Sequence, residues 1–301
     1  MISTLYIILE RDDGMKPIEK LFNLNRLFPF HMTYKDTKAV EVELPYHFHE
    51  WYEIVYVYRG EGKIFINQTI YTMEQGDIFL IPGNTLHHSI PNRDNPVTST
   101  AIFFNPILIS NRISGDGFDF LHVFDKAARF NLFKSKLNLQ QQNMIVDKIE
   151  TIMSELRSEK LGYKSAILVE LQKLLLYLAR ITNDHEAFHK NFNEFSGPSW
   201  LKDVLTHIEE NYTKEISLQS LSDLGNVSTA HLSRVFKQVT GLNIVKYIVQ
   251  KRIIKAKELL LNTEEKISSV ALQCGFDSLP HFYRTFKEAV GSTPTDFRNK
   301  S

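Results

Sequence analysis

Apolar residues fall into two rhythms along the chain. From Phe30 to about Pro106 they come in short runs rich in β-branched and aromatic side chains: Tyr52 to Tyr58, Lys63 to Ile66, Ile70 to Met73, Asp77 to Ile81 and Thr98 to Phe104. Arg59-Gly60-Glu61-Gly62, Glu74-Gln75-Gly76 and Pro82-Gly83-Asn84 separate the runs with residues that turns require. Several short strands at close intervals predict a small sandwich or barrel. From Asn138 the spacing changes to three and four. Met144, Ile145, Ile149, Ile152, Met153 and Leu156 line one helix ending near Glu159, and Leu168, Leu171, Leu175 and Leu178 line a second between Tyr163 and Ile181. That stripe suits packing on the chain's own barrel and packing on a second copy equally well. Residues 107–137, with Gly115-Asp116-Gly117 and the phenylalanines from Phe118 to Phe133, read as loops laid on the barrel. Pro17 to Leu27 fits a short amphipathic helix with no readable role.

Asn183 to Pro198 is polar, carries three phenylalanines and ends Ser196-Gly197-Pro198, which reads as a linker. Trp200 to Asn211 then opens a helical region in which one pattern is written twice. His231-Leu232-Ser233-Arg234-Val235-Phe236-Lys237 with Gly241 returns 50 residues later as His281-Phe282-Tyr283-Arg284-Thr285-Phe286-Lys287 with Gly291. In each copy the apolar positions share one helix face, the basic residues fall elsewhere, and glycine ends the helix. Before the second copy, Ile267 to Phe276 reads as a short helix with small Ala271 where two helices cross and Gly275 at the tight turn. Ser222 and Asn226 hold those places before the first copy, asparagine being the next residue most tolerant of left-handed backbone. The region thus reads as two helix-turn-helix units. A long helix at about Asn243 to Leu261 joins them and spans roughly 27 Å, which suits two major grooves repeating every ~34 Å.

These residues carry a resemblance. Gly275-Phe276-Asp277-Ser278, Phe282-Tyr283-Arg284-Thr285-Phe286-Lys287, Gly291-Ser292-Thr293-Pro294 and Phe297-Arg298 resemble the signature of AraC/XylS-type transcriptional regulators, and Tyr247, Arg252, Ala256, Leu259 and Leu260 match the joining helix. The resemblance covers residues 200–300. It departs at Ser222 and Asn226, and at Pro280, which the first turn of a helix tolerates. It implies contacts with double-stranded promoter DNA by Ser228, Ala230, His231, Ser233, Arg234 and Lys237 in the first unit. In the second unit it implies Ser278, Leu279, Pro280, His281, Tyr283, Arg284 and Lys287. Arg234 and Arg284 are the residues suited to pair with guanine in a bidentate way, while His231 and Lys237 suit the phosphate backbone. Leu232, Phe236, Phe282 and Phe286 belong to the core. The resemblance also implies a homodimer, and RNA polymerase as a partner of an activator.

Composition changes this picture little. The hydrophobic fraction of 43% supports packed cores, and a formal net charge of zero argues against a non-specific polycation. From Ser196 on there are 14 Lys and Arg against 11 Asp and Glu, leaving 21 against 24 before it. A slightly acidic front and a slightly basic back suit a sensor joined to a DNA reader. The single cysteine, Cys274, excludes internal disulfides and cysteine metal clusters, fits a buried small hydrophobe, and suits a reducing compartment. No apolar run approaches a membrane span, and Met1 to Glu10 lacks the basic lead of a secretion signal, so the cytoplasm is the expected location.

The strand-rich half carries chemistry of its own. His47-Phe48-His49 is followed by Glu53 and Gly60, and Gly76, Pro82 and His87 follow later, a spacing similar to the two cupin motifs with Asn84 in place of a glycine. Residues two apart on a strand face the same way, so His47 and His49 share a side, Glu53 joins them if the strand continues, and His87 arrives from a second strand. His47, His49, Glu53 and His87 would suit a divalent first-row metal. The alternative is a pocket lining that holds no metal. With Trp51 the same residues would suit a sugar, the indole stacking on the ring and the polar groups meeting hydroxyls. Equally, Trp51 would serve as a plug at the barrel's end. His88 reads as a rim residue.

The expectation is therefore an α+β two-domain chain: an N-terminal cupin-like β-barrel with flanking helices and a C-terminal all-α domain. The boundaries are 1–137 for the barrel, 138–183 for a helical hairpin, 184–198 for the linker and 199–301 for the double helix-turn-helix. A DNA-binding regulator, an activator by resemblance, that senses a small carbohydrate and requires no cofactor fits best. The rival is a metal-dependent cupin enzyme with a helical tail, which leaves the duplicated unit unexplained.

Overall fold

The computed structural model describes residues 18–19, 28–37, 47–67, 69–109, 118–183 and 198–299. Two compact units emerge, one formed mainly of strands by residues 22–43 and 49–196, the other built on the helices from Gly197 onward. The linker residues 184–197 and most of the N-terminal stretch lie outside the described residues. Ile18–Glu19 form a short strand, β1, pairing in parallel with β3 (His47–Phe48), where a helix was expected from Pro17.

In the strand-rich unit, β2 (Phe30–Thr37), β4 (Tyr52–Arg59), β7 (Asp77–Ile81), β9 (Thr98–Phe104) and β10 (Lys134–Lys136) make an antiparallel sheet of order β10-β7-β4-β9-β2. β5 (Gly62–Ile66) pairs antiparallel with both β6 (Thr69–Met73) and β8 (His87–Pro91). Every residue of β7 and β9 is buried, Asp77, Thr98, Ser99 and Thr100 included, so these strands do not show the alternation of a sheet with one face in water.

Of the loops expected over 107–137, residues 110–117 with Gly115-Asp116-Gly117 lie outside the described residues, and 118–137 carry a helix and a strand between short connections. α1 (His122–Phe130) buries Val123, Phe124 and Ala127 and stops at Asn131, whose φ of +51° closes the helix. β10 follows, and its Lys134 and Lys136 each reach the buried Asp77 carboxylate at 3.3 Å. Burial pushes the Asp77 carboxyl upward, against the pull of those two lysines. α2 (Leu139–Ser158) opens on a reciprocal cap between Asn138 and Gln141, and α3 (Tyr163–Asn183) packs against it. Ile145, Ile149, Ile152, Leu171, Leu175 and Leu178 enter the same core as Ile54, Phe79 and Phe104 of the sheet. The leucine stripe thus serves the chain's own fold, with Leu168 half-buried at its margin.

The helical unit runs α4 (Ser199–Asn211), α5 (Leu218–Leu224), α6 (Thr229–Thr240), α7 (Ile244–Asn262), α8 (Ile267–Gln273), α9 (Leu279–Val290) and α10 (Pro294–Asn299). α7 is the connector, and at 19 residues it is about 28 Å long. Arg252 on α7 donates to the carbonyls of Tyr212 and Lys214 at 2.7 and 2.8 Å, tying the connector to the end of α4. Lys251 meets Glu209 at 2.7 Å on the same seam. Among the described residues, no helix is long and apolar enough to cross a membrane.

Candidate nucleic-acid interface and effector pocket

Each helix-turn-helix is set by its turn. Ser222 and Ala271 are buried at the crossing, and their carbonyls accept from Val227 N and Phe276 N at 3.0 Å in each case. Asn226 has φ +50° and Gly275 φ +83°, so both positions adopt the left-handed backbone expected of them. At Gly275 even alanine is excluded, because a Cβ would lie 2.3 Å from the Thr213 carbonyl oxygen. The turns are 49 residues apart while the helices that follow are 50 apart; Asp277 is the extra residue in the second unit.

Ser228 and Ser278 cap α6 and α9 by accepting from the backbone N–H of His231 and His281 at 3.2 and 3.4 Å. Gly241 and Gly291 end the two helices at φ +71° and +79°. Leu232, Phe236, Phe282 and Phe286 are fully buried. On the opposite face of α6, Ala230, Ser233, Arg234 and Lys237 are exposed, spaced to form one stripe. On α9, Leu279, Pro280, His281, Arg284 and Lys287 are exposed. Tyr283 is half-buried, with its hydroxyl hydrogen-bonded to Thr295 Oγ1 at 2.9 Å. His231 is also half-buried, its ring against Trp200 with centroids 5.7 Å apart. Cys274 lies in the core beside Phe276 and Phe282, and burial pushes its thiol up to about 12.

In the strand-rich unit the extended backbone is interrupted at His49-Glu50-Trp51 before β4 begins, so simple alternation does not carry from His49 to Glu53. They meet because of that interruption. His49 Nδ1 donates to the Trp51 carbonyl at 2.7 Å, and the ring's Nε2 lies 3.1 Å from Glu53 Oε2. His87 repeats the arrangement: Nδ1 donates to the Thr85 carbonyl at 2.8 Å and Nε2 lies 3.0 Å from the same oxygen. Asn84 takes φ +59°, and its N–H donates to the His49 carbonyl at 2.6 Å, which holds the loop before β8 on the interruption. His49, Glu53 and His87 thus bring two imidazoles onto one carboxylate, and all three residues are buried; His47 is buried as well. Burial pushes the Glu53 carboxyl up, but hydrogen bonds and charge from His49 and His87 outweigh it and hold the group well below the usual range.

Beside this set is a cavity of about 30 Å³ lined by Glu53, Val55, Met73, Ser89, Ser99 and Ala101, among others. Of the residues expected to bind an effector, Glu53 lines it. Trp51 is buried in the core cluster instead. The serines went unnoticed in the sequence because neither stands in a motif. The available signal was the strand period: Val55 is two residues from Glu53, and Ser99 is two from Ala101.

Residues 31–171 match the model of an AraC-like ligand binding domain, and residues 221–300 match that of a helix-turn-helix domain. The chain is 25% identical over 273 residues to the HTH-type transcriptional activator RhaS of Enterobacter sp. (strain 638), covering 87% of this chain and 90% of that protein. This is an AraC-family transcription regulator. A second relative of this AraC-type regulator, the bifunctional transcriptional activator/DNA repair enzyme AdaA of Bacillus subtilis (strain 168), is 35% identical over 102 residues, 34% of this chain and 48% of that protein. Among solved structures, the C-terminal domain of the two-component response regulator yesN from Fusobacterium nucleatum is 38% identical, covering 32% of this chain and 93% of that one, with a TM-score of 0.31. The regulator thus joins a ligand-binding domain to a helix-turn-helix domain, and the rival reading as a metal-dependent enzyme falls away.

Proposed function

We propose that the regulator binds promoter DNA with α6 and α9 in successive major grooves, Arg234 and Arg284 reading bases. A small molecule held beside Glu53 changes that binding. The observation that carries the reading is the matched pair of capped helices, each presenting an exposed arginine at the same place in the repeat. Ser228 and Ser278 act through the caps, and Lys237 and Lys287 face phosphate. The protein works in the cytoplasm as a homodimer that activates transcription with RNA polymerase. Exposed Met144 and Val169 on α2 and α3 support an apolar contact between copies.

The effector we propose is a carbohydrate, supported by a lining that combines the Glu53 carboxylate and two serine hydroxyls with aliphatic walls. A cavity of about 30 Å³ holds roughly two waters, so a sugar enters only if the wall opens, and flexible Met73 is the side chain best able to give way.

One observation favours a divalent metal at the same place. Carbonyl oxygens only accept, so Nδ1 of His49 and of His87 carries the proton. In the neutral rings both Nε2 lone pairs then face Glu53 Oε2, and that geometry calls for a proton or a cation among the three atoms. The residues present therefore fit a first-row metal held by His49, Glu53 and His87.

A thermal-shift screen of the full chain against common sugars, with and without Zn²⁺ or Mn²⁺, separates the two. A ligand at 100 times its Kd adds ~2.7 kcal/mol. A shift with one sugar that is lost in Glu53→Ala supports the carbohydrate reading. A shift with metal alone, lost in the same variant, supports the metal. No shift with any of them contradicts an effector beside Glu53.

A further inference from the structure

We infer that His231 is a positioning residue for Arg234, and not the phosphate contact its charge type suggests. This rests on the proposal that Arg234 reads a base. Arg234 Nη2 donates to His231 Nδ1 at 3.0 Å. A guanidinium has no acceptor, so the imidazole supplies the lone pair and is neutral, with its proton on Nε2. The ring is itself held. It lies half-buried against the Trp200 indole of α4, centroids 5.7 Å apart with 48° between planes. Trp200 in turn is seated over Gly225 at the turn of the same unit, where a Cβ would fall 3.0 Å from the indole Cε3. Gly225, Trp200 and His231 form a packed line that ends on the arginine. An exposed arginine otherwise carries large rotamer freedom, which it surrenders on pairing with guanine. A guanidinium already oriented surrenders less, and it discriminates more sharply because a wrong base cannot be met by swinging the side chain elsewhere.

The second unit lacks this arrangement. His281 is exposed and packs on Phe276, 5.7 Å away at 74°. Among the described residues, no side-chain hydrogen bond or ion pair engages Arg284. The two readers are therefore unequal, and the first unit carries the stricter base preference.

Selection of bound duplexes from a random double-stranded library, using the full-length protein, tests this. Arg234→Ala should erase the preference at the base pair it reads. His231→Leu should weaken the preference at that same base pair about tenfold, leaving the other positions and the affinity for random DNA unchanged. His231→Gln, whose carboxamide oxygen can accept from the guanidinium, should restore it. His231→Ala gives the same reading should His231→Leu fail to fold. If Arg234→Ala erases a preference and His231→Leu and His231→Ala leave it intact, the positioning role is overturned. Equal loss on selected and random DNA in the His231 variants also overturns it, since His231 is then a phosphate contact. If Arg234→Ala itself changes no preference, the underlying base-reading proposal fails instead.

Discussion

At Arg284, Glu53 and Cys274, neighbours decide what each side chain does. Arg284 is exposed on α9 with no internal partner among the described residues, so its free energy is available to DNA. Arg284→Ala should lose ~1–3 kcal/mol on the selected site and little on random duplex, read by titration at fixed salt. An equal loss on both would make it a phosphate contact. Glu53 was legible by motif spacing, yet its meeting with His49 depends on an interruption of the strand that alternation does not foresee. Trp51 looked suited to stacking because it stands between the motif residues, but its ring is spent in the core. Cys274 shows what burial alone does. An unfolded thiol ionises near pH ~8.5, whereas in the fold the proton stays on up to about 12. The unfolded state therefore binds fewer protons in that window, and stability present below pH ~8.5 declines as pH rises toward 12. Denaturant titrations of the native chain and Cys274→Ala should show the native chain losing more stability between pH 9 and 11. Parallel loss in the two would contradict the assignment.

Among the elements, those with a strong period were readable, and those held by a few tertiary contacts were not. α2, α3, α6, α7 and α9 keep apolar residues at helical intervals along their length, so their existence follows from the sequence. α1 has nine residues, and its buried face is three side chains, too little for a period to emerge. β10 reads Lys-Ser-Lys, with nothing apolar to mark it; its place is seen only in the ladder with β7 and in the ion pairs of its lysines with Asp77. The one-residue slip at Asp277 was hidden because both helices keep their own period on either side of it. The turns give a test at this scale. Gly275→Ala combines a φ of +83° with a Cβ driven into the Thr213 carbonyl, whereas Gly291→Ala at φ +79° meets nothing within 4 Å. Gly291→Ala should cost about 1–2 kcal/mol by thermal or denaturant unfolding, and Gly275→Ala clearly more. Equal costs would mean that the second turn relaxes freely.

For the whole molecule, two capped helices on one connector support the proposal of a single rigid reader of two grooves. The connector is fixed at its middle, where Arg252 and Lys251 bind it to α4, and it shares a core with α8 and α9 through Ile253, Ala256 and Leu260. On that proposal the separation of the readers is set by the fold. The most direct measurement is the affinity of the full-length protein for its selected duplex before and after five base pairs are inserted between the two blocks of preference. Half a helical turn moves the second block to the opposite side of the duplex. Rigid double reading predicts that binding falls at least tenfold toward the random-sequence level, with Arg284→Ala producing no further loss on the lengthened site. Unchanged affinity after the insertion would contradict it, leaving one helix as the reader.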